Sequence, residues 1–412
     1  MKVDIDQDKL THELETLAGF SDAPAPAVTR VVFSETDQKA RVWLKRLFME
    51  AGLRVREDAV GNTFARWEGA EPELPAVASG SHIDAIPHAG RFDGTVGVLG
   101  ALEAIRALKR TGARLRRSIE LVLFTSEEPT RFGIGCLGSR LLSGTLDANR
   151  AAALRDNKGI GIEDLRAAAG FHGSLASVVL SPGSYHAFIE LHIEQGPLLE
   201  RAGIPLGIVT AIAAPATLCI EFEGEGGHAG AVLMPDRRDA FLAAAEVALA
   251  VESAAKGSGA VDTVGTVGLC EIFPGAVNSI PSRVRMLADV RDIDLARRDG
   301  VLAFIVERTQ AIAAKRGVRA HTEVLNADAP AEASPLVTGA LRESAEERGV
   351  PYQIMVSRAY HDSLFMARVV PAGMLFIPCR EGVSHRPDEY AAPRDIARGA
   401  QVLAGAMARL SA

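Results

Sequence analysis

The sequence predicts an α/β protein of two domains, one inserted in the other, and three observations carry that prediction. Apolar runs of strand length alternate with helical periodicity towards both ends of the chain, the pattern of a sheet covered by helices. The middle of the chain follows a different order, β-α-β-β-α-β, which is ferredoxin-like. At 412 residues, the chain exceeds what a single core usually supports.

The elements are taken in chain order. Ala40, Trp43, Leu44, Leu47, Phe48 and Ala51 recur at helical spacing behind Ser34 or Thr36 as N-cap, and Gly52 closes the run. Residues 74–79 read as a strand leading to His82. Asp93 opens a helix whose inward face is Val98, Leu102, Ile105 and Leu108. Residues 119–124 are apolar apart from Glu120, as in a strand buried on both faces of a parallel sheet. From Phe188 to Gln195 the pattern alternates, with Ile189, Leu191 and Ile193 on one face and Glu190, His192 and Glu194 on the other. Residues 373–378 make a further buried strand, succeeded by the loop of His385. In the middle, strands are expected at 218–223, 263–272, 284–289 and 321–325, with helices at 237–253 and 296–315. The inserted unit is placed at 214–327, between the halves 1–213 and 328–412 of the other domain.

Composition narrows the partners. Lys and Arg number 45 against 52 Asp and Glu, a net charge of −7 without a basic stripe, which disfavours nucleic acid and anionic membrane. No uninterrupted apolar stretch reaches the ~18 residues of a membrane span. The four cysteines, Cys136, Cys219, Cys270 and Cys379, are scattered without a CxxC pair and read as small buried hydrophobes of a reducing compartment. The first residues are acidic and contain no apolar signal core, so a cytoplasmic location is expected.

The chemistry concentrates where strands end. Leu123-Phe124-Thr125-Ser126 runs into Glu127-Glu128, two adjacent carboxylates whose side chains diverge, so one can bind a metal while the other moves protons. With His82, Asp93, His192 and His385 they complete the inventory of a dinuclear metal site plus a base. Imidazole with carboxylate suits Mn²⁺, Zn²⁺ or Co²⁺ rather than Ca²⁺ or Mg²⁺. Five ligands serve two ions if one carboxylate bridges, and Asp93, at a helix start, is assigned that place. Asp84 is placed to orient the His82 imidazole. Glu127 is the expected general base and Glu128 a ligand. Any one of these residues alone is more often structural; the placement of each just after a strand is what argues for a site.

Gly80-Ser81-His82-Ile83-Asp84, Phe92-Asp93-Gly94, Thr125-Ser126-Glu127-Glu128, Glu190 to Gly196 and Gly382-Val383-Ser384-His385 together resemble the hydantoinase/carbamoylase family of dinuclear-metal amidohydrolases. The resemblance implies an aminopeptidase-like catalytic domain with a mixed sheet and an inserted lid that also dimerises. It implies two divalent ions per subunit, typically Mn²⁺, with His82 and His192 on one, Glu128 and His385 on the other, Asp93 bridging and Glu127 as base. Gln195, His228, Asn278 and Arg291 are implied around a small anionic ureido substrate. Arg291 would grip its carboxylate, and His228, projecting from a glycine-rich loop, would steady the oxyanion, reaching across a homodimer as in relatives. Allantoate amidohydrolases and N-carbamoyl-L-amino-acid hydrolases usually read HAGTTPM in the lid and SGAGHD near the end. Here stand His228 to Pro235 and Ser357 to Met366, the latter with His361 as a further substrate contact, which resemble another branch acting on a small ureido acid. Those two activities, and a non-catalytic binding homologue, are the competing expectations.

Overall fold

The computed structural model describes residues 3–412; Met1 and Lys2, the first residues of the segment read for a secretory signal, lie outside it. The chain divides into two compact units, Ala211–Ala331 with Arg358–Tyr360 forming one and the remainder the other. The inserted unit therefore begins three residues before, and ends four after, the span expected from sequence, and it gains a tripeptide from the C-terminal region.

The larger unit is built on a nine-stranded mixed sheet. Four central strands, Ala372–Ile377, Tyr185–Ile193, Ala76–Ser81 and Ile119–Leu123, run parallel to one another. Leu206–Ile212 flanks them antiparallel on one side, and Thr63–Trp67 then Arg54–Glu57 on the other. The central strands are buried along almost their whole length, polar Ser79, Glu120, Glu190 and His192 included. One face packs on a core containing Leu44, Phe48, Leu102, Ile105, Leu191, Leu403 and Met407. The other packs on Phe64, Val122, Phe124, Leu141 and Phe188.

Local details shift the expectations without overturning them. Ser34, not Thr36, caps helix Glu35–Glu50, its hydroxyl accepting from the Asp37 amide at 3.1 Å. The strand read at 74–79 occupies Ala76–Ser81 and so ends directly at His82. Helix Thr95–Arg110 is buried on every side from Thr95 to Leu108, where the sequence suggested one inward face. Its start needs Gly94: the residue has φ 67°, and a Cβ there would lie 2.5 Å from the His82 ring. No described helix is long and apolar enough to cross a membrane.

The smaller unit is a four-stranded antiparallel sheet in the order Val264–Phe273, Arg283–Asp292, Ala214–Glu223, Arg319–Ala327. Helices Ala240–Gly257 and Leu295–Arg316 cover one face and bury Leu218, Ile220, Phe222, Met286, Val290 and Ile305. The helix expected from residue 237 starts at Ala240, because Asp239 caps it through the amides of Phe241 and Leu242. Of the four cysteines, Cys270 is exposed, on edge strand Val264–Phe273, so the buried reading fails there.

Candidate metal centre and active site

The parallel strands deliver most of the predicted ligands to one place. His82 comes directly after Ala76–Ser81, and Glu127-Glu128 come after Ile119–Leu123 and a short turn. His192 is the exception to the strand-end expectation, since it lies within Tyr185–Ile193, one residue before its end. The next parallel strand, Ala372–Ile377, leads into the loop that carries His385.

Asp93 lies between the imidazoles. Its Oδ1 is 3.1 Å from His192 Nε2 and 3.6 Å from His82 Nε2, while its Oδ2 is 3.1 Å from His385 Nε2. His385 Nε2 is also 3.2 Å from Glu128 Oε1. Asp93 joins two groups able to hold a divalent cation, His82–Asp93–His192 and Asp93–Glu128–His385, and a third, Glu190–His192–His361, lies against the first through His192. The imidazoles of the first group are oriented for ligation. Nδ1 of His82 lies 3.0 Å from the Asp84 carbonyl oxygen and Nδ1 of His192 lies 2.9 Å from that of Ile193, so both Nδ1–H groups donate to backbone and each Nε2 faces the cluster. Burial opposes charge on these rings, but Glu127, then Asp93 and Asp84, raise His82 well above the usual imidazole range, and Asp93 with Glu190 raises His192. His385 is held at about 11 by hydrogen bonds to Asp93 and Glu128. Burial alone would raise Asp93, yet the three imidazoles hold it well below the usual carboxylate range.

Asp84 does more than the sequence suggested. Its carbonyl, not its carboxylate, meets the imidazole; the nearer carboxylate oxygen is 3.8 Å away. The carboxylate instead accepts the amides of Glu127 at 3.1 Å and Glu128 at 2.9 Å, fixing the turn on which both side chains ride. That turn contains Ser126 at φ 57°, a left-handed conformation. Glu127 Oε2 then lies 3.8 Å from His82 Nε2, and its Oε1 accepts the Cys136 thiol at 3.4 Å. Burial pushes Glu127 well above the usual carboxylate range, reinforced by Glu128 and Asp362 and opposed by His82.

Gln195 donates from Nε2 to Asp93 Oδ2 at 2.8 Å, and its buried Oε1 has no partner among the described residues. His361, expected as a substrate contact, is 2 % exposed and packs edge-on against His192, ring centres 4.5 Å apart. Two buried carboxylates beside the cluster were not foreseen. Glu190, on the His192 strand, accepts the Ser81 hydroxyl and both the amide and hydroxyl of Ser363. Glu389 accepts the amides of Phe92 and Asp93 and the hydroxyl of Ser384. The alternation that put Glu190 on the face of His192 was the one available signal; nothing local marks Glu389.

The remaining expected residues belong to the smaller unit. His228 is not on a loose loop: Gly227–His228 pairs antiparallel with Ser279–Ile280, and the Ala229 amide donates to the Asn278 carbonyl at 2.9 Å. His228 and Asn278 are thus brought together, both exposed. Arg291 is not free either, since its guanidinium donates to both Asp289 oxygens at 2.7 and 3.4 Å and lies over the Tyr360 ring.

Comparison with known proteins agrees with this architecture. The model of the peptidase family M20/M25/M40 matches residues 78–409. A ureidoglycolate hydrolase of Arabidopsis thaliana is 54 % identical, over 99 % of this chain and 87 % of the relative. A crystal structure of AtUAH in complex with glyoxylate superposes with a TM-score of 0.92 at 54 % identity, covering 99 % of this chain and 98 % of that one. An N-carbamoyl-L-amino acid amidohydrolase of Geobacillus stearothermophilus is 39 % identical over 97 % of each chain.

Proposed function

The chain belongs to the peptidase family M20/M25/M40, and from that premise we propose that it is a two-metal amidohydrolase that cleaves ureidoglycolate. The observation that carries the reading is the shared carboxylate: Asp93 turns one oxygen to His192 and the other to His385, beside a buried Glu127 whose Oε2 lies 3.8 Å from His82 Nε2. The donor set of three imidazoles and two carboxylates fits a pair of Mn²⁺ ions, with Zn²⁺ or Co²⁺ as substitutes. His82 and His192 would hold one ion, Glu128 and His385 the other, with Asp93 between them. When bound, the pair supplies Lewis acidity that polarises the ureido carbonyl and lets water attack at neutral pH.

The chain's own groups do the rest. Glu127, raised by burial, takes the proton from the attacking water and delivers it to the departing nitrogen. Gln195 offers its unpartnered Oε1 to a ureido N–H, which such a substrate supplies in number. The overall change balances as ureidoglycolate plus water giving glyoxylate, two ammonia and carbon dioxide. Side-by-side ammonia release from ureidoglycolate, allantoate and an N-carbamoyl-L-amino acid by Mn²⁺-loaded protein tests the assignment; faster turnover of either alternative would overturn it.

In the inserted unit, Arg291 must exchange its pairing with Asp289 for a substrate carboxylate. Arg291→Lys cannot reproduce the two-point fork, so KM should rise at least about tenfold with metal content unchanged; an unaltered KM would remove Arg291 from the site. We also read the protein as a cytoplasmic homodimer formed through this unit. The four free thiols suit a reducing compartment. Edge strand Val264–Phe273 exposes Val264, Ile272 and Phe273, a surface suited to pairing with a second copy. His228 would then complete the neighbour's site. Mixing inactive His228→Ala and Glu127→Gln subunits should regain activity; none, after verified subunit exchange, would refute that sharing.

A further inference from the structure

We propose that Glu389 is a positioning residue of the metal centre: one carboxylate ties the loop of Asp93 to the loop of His385, and so sets the geometry in which Asp93, Glu128 and His385 take an ion together. The inference rests on the two-metal reading above. Glu389 is 4 % exposed. Its Oε1 accepts the backbone amides of Phe92 at 2.8 Å and Asp93 at 3.1 Å, and its Oε2 accepts the Ser384 hydroxyl at 2.9 Å. Phe92 and Glu389 are 297 positions apart in the chain, so no local backbone restraint does this work.

Two further observations point the same way. The backbone closes tightly on this carboxylate, since a Cβ on Gly90 would lie 2.3 Å from Glu389 Cβ and 2.4 Å from its Oε1. Ser384 has one hydroxyl proton but faces two carboxylates, Glu389 Oε2 and, at 3.1 Å, Asp93 Oδ2. Glu389 draws that proton, while Gln195 Nε2 serves Asp93 Oδ2, which keeps a lone pair for an ion. His82 and His192 need no such tie, because the sheet and their backbone carbonyl acceptors already fix them.

The test counts ions on the folded protein. Wild type loaded with Mn²⁺ and dialysed at fixed free Mn²⁺ should hold two ions per subunit by atomic emission. Glu389→Ala should hold one, its affinity for the second falling about 10–100-fold, as for other residues that orient ligands. Glu389→Gln keeps an oxygen for the two amides and should stay within a few-fold of wild type. Adding His385→Ala to Glu389→Ala should remove nothing more, whereas adding His192→Ala should. Retention of both ions at wild-type affinity in Glu389→Ala, or loss of the His82–His192 ion first, would overturn the inference. A wild-type protein that takes up no divalent ion would instead overturn the two-metal reading. If Glu389→Ala does not fold, Ser384→Ala removes one arm of the tie; it should weaken the second ion several-fold, and an unchanged affinity counts against the proposal.

Discussion

The two halves of the candidate metal centre share Asp93 but are built in different ways. In the half formed with His82 and His192, the imidazoles stand at or within central parallel strands, their side chains 2 % and 0 % exposed. Each Nδ1–H is spent on a nearby backbone carbonyl, that of Asp84 for His82 and that of Ile193 for His192. In the half formed with Glu128 and His385, both ligands ride on turns with left-handed residues, Ser126 before Glu128 and His385 itself at φ 59°. The His385 side chain is 46 % exposed. Order in this half comes from long-range carboxylates, Asp84 holding the Glu127-Glu128 amides and Glu389 holding the Asp93 and Ser384 loops. A sheet gives one half its geometry through the backbone ladder; side chains give it to the other.

The largest effect that sharpens this comparison concerns Glu127, which leans towards His82 while Glu128 leans towards His385. Glu127→Gln should lower kcat by about 10²–10⁴-fold, the usual worth of a placed acid–base group, and leave both halves loaded. Loss of an ion from either half on dialysis would make Glu127 a ligand and redraw the division.

Staged metal removal comes next. Chelation should proceed in two phases, the Glu128/His385 ion leaving first; His385→Ala should abolish the fast phase and His192→Ala the slow one. The metal-free centre also carries a pH dependence, because His385 sits at about 11 against an ordinary 6.5 while Asp93 and Glu128 accept its protons. A value raised on folding means the charged pairing stabilises fully below about pH 6.5 and is lost as pH rises through about 11. An ion entering this half displaces that proton, so its affinity should climb with pH through the window, about tenfold per unit at most. Titrations at rising pH with proton release monitored check the sign; a flat affinity for the fast-leaving ion would break the argument.

The sheet-borne half was legible in the sequence and the loop-borne half only in part, for the same physical reason. Apolar runs mark strands, and a strand fixes the position of the residues at its end, so His82, Glu127 and His192 announce themselves beside ordinary strand patterning. His385 is visible through its motif, but the residue that fixes its loop, Glu389, acts on partners at positions 92 and 93, which no local periodicity connects to it. The left-handed positions at Ser126, Gln195 and His385 are not themselves glycines, so the sequence does not betray them. For Asp84 the sequence places the residue beside His82 without saying which atom orients the imidazole, because spacing locates a residue and leaves its hydrogen bonds open. The inserted unit was legible as a β-α-β-β-α-β order, whereas the partner of the Arg291 ion pair was not, although strand alternation places Asp289 and Arg291 on one face.

The smallest expected effect tests how finely Glu127 is held on the sheet side. Cys136 stands at φ 56°, its amide donates to the Glu127 carbonyl at 2.7 Å, and its thiol lies 3.4 Å from Glu127 Oε1. Burial first, then the charge of Glu127, pushes this thiol well above its ordinary range, so it stays an inert weak donor. Cys136→Ser substitutes a stronger donor of similar shape. A hydrogen bond to a charged group contributes about 1.5–3 kcal/mol, more than a thiol supplies, so the variant should hold Glu127 in its ionised form and away from the departing nitrogen. The expected result is a kcat lower by several-fold, a kcat–pH profile shifted to more acidic pH as Glu127 becomes easier to ionise, and both ions retained. Cys136→Ala should shift the profile far less. If Cys136→Ser and Cys136→Ala behave alike, the thiol merely fills space, and Glu127 is positioned by Asp84 and the turn alone.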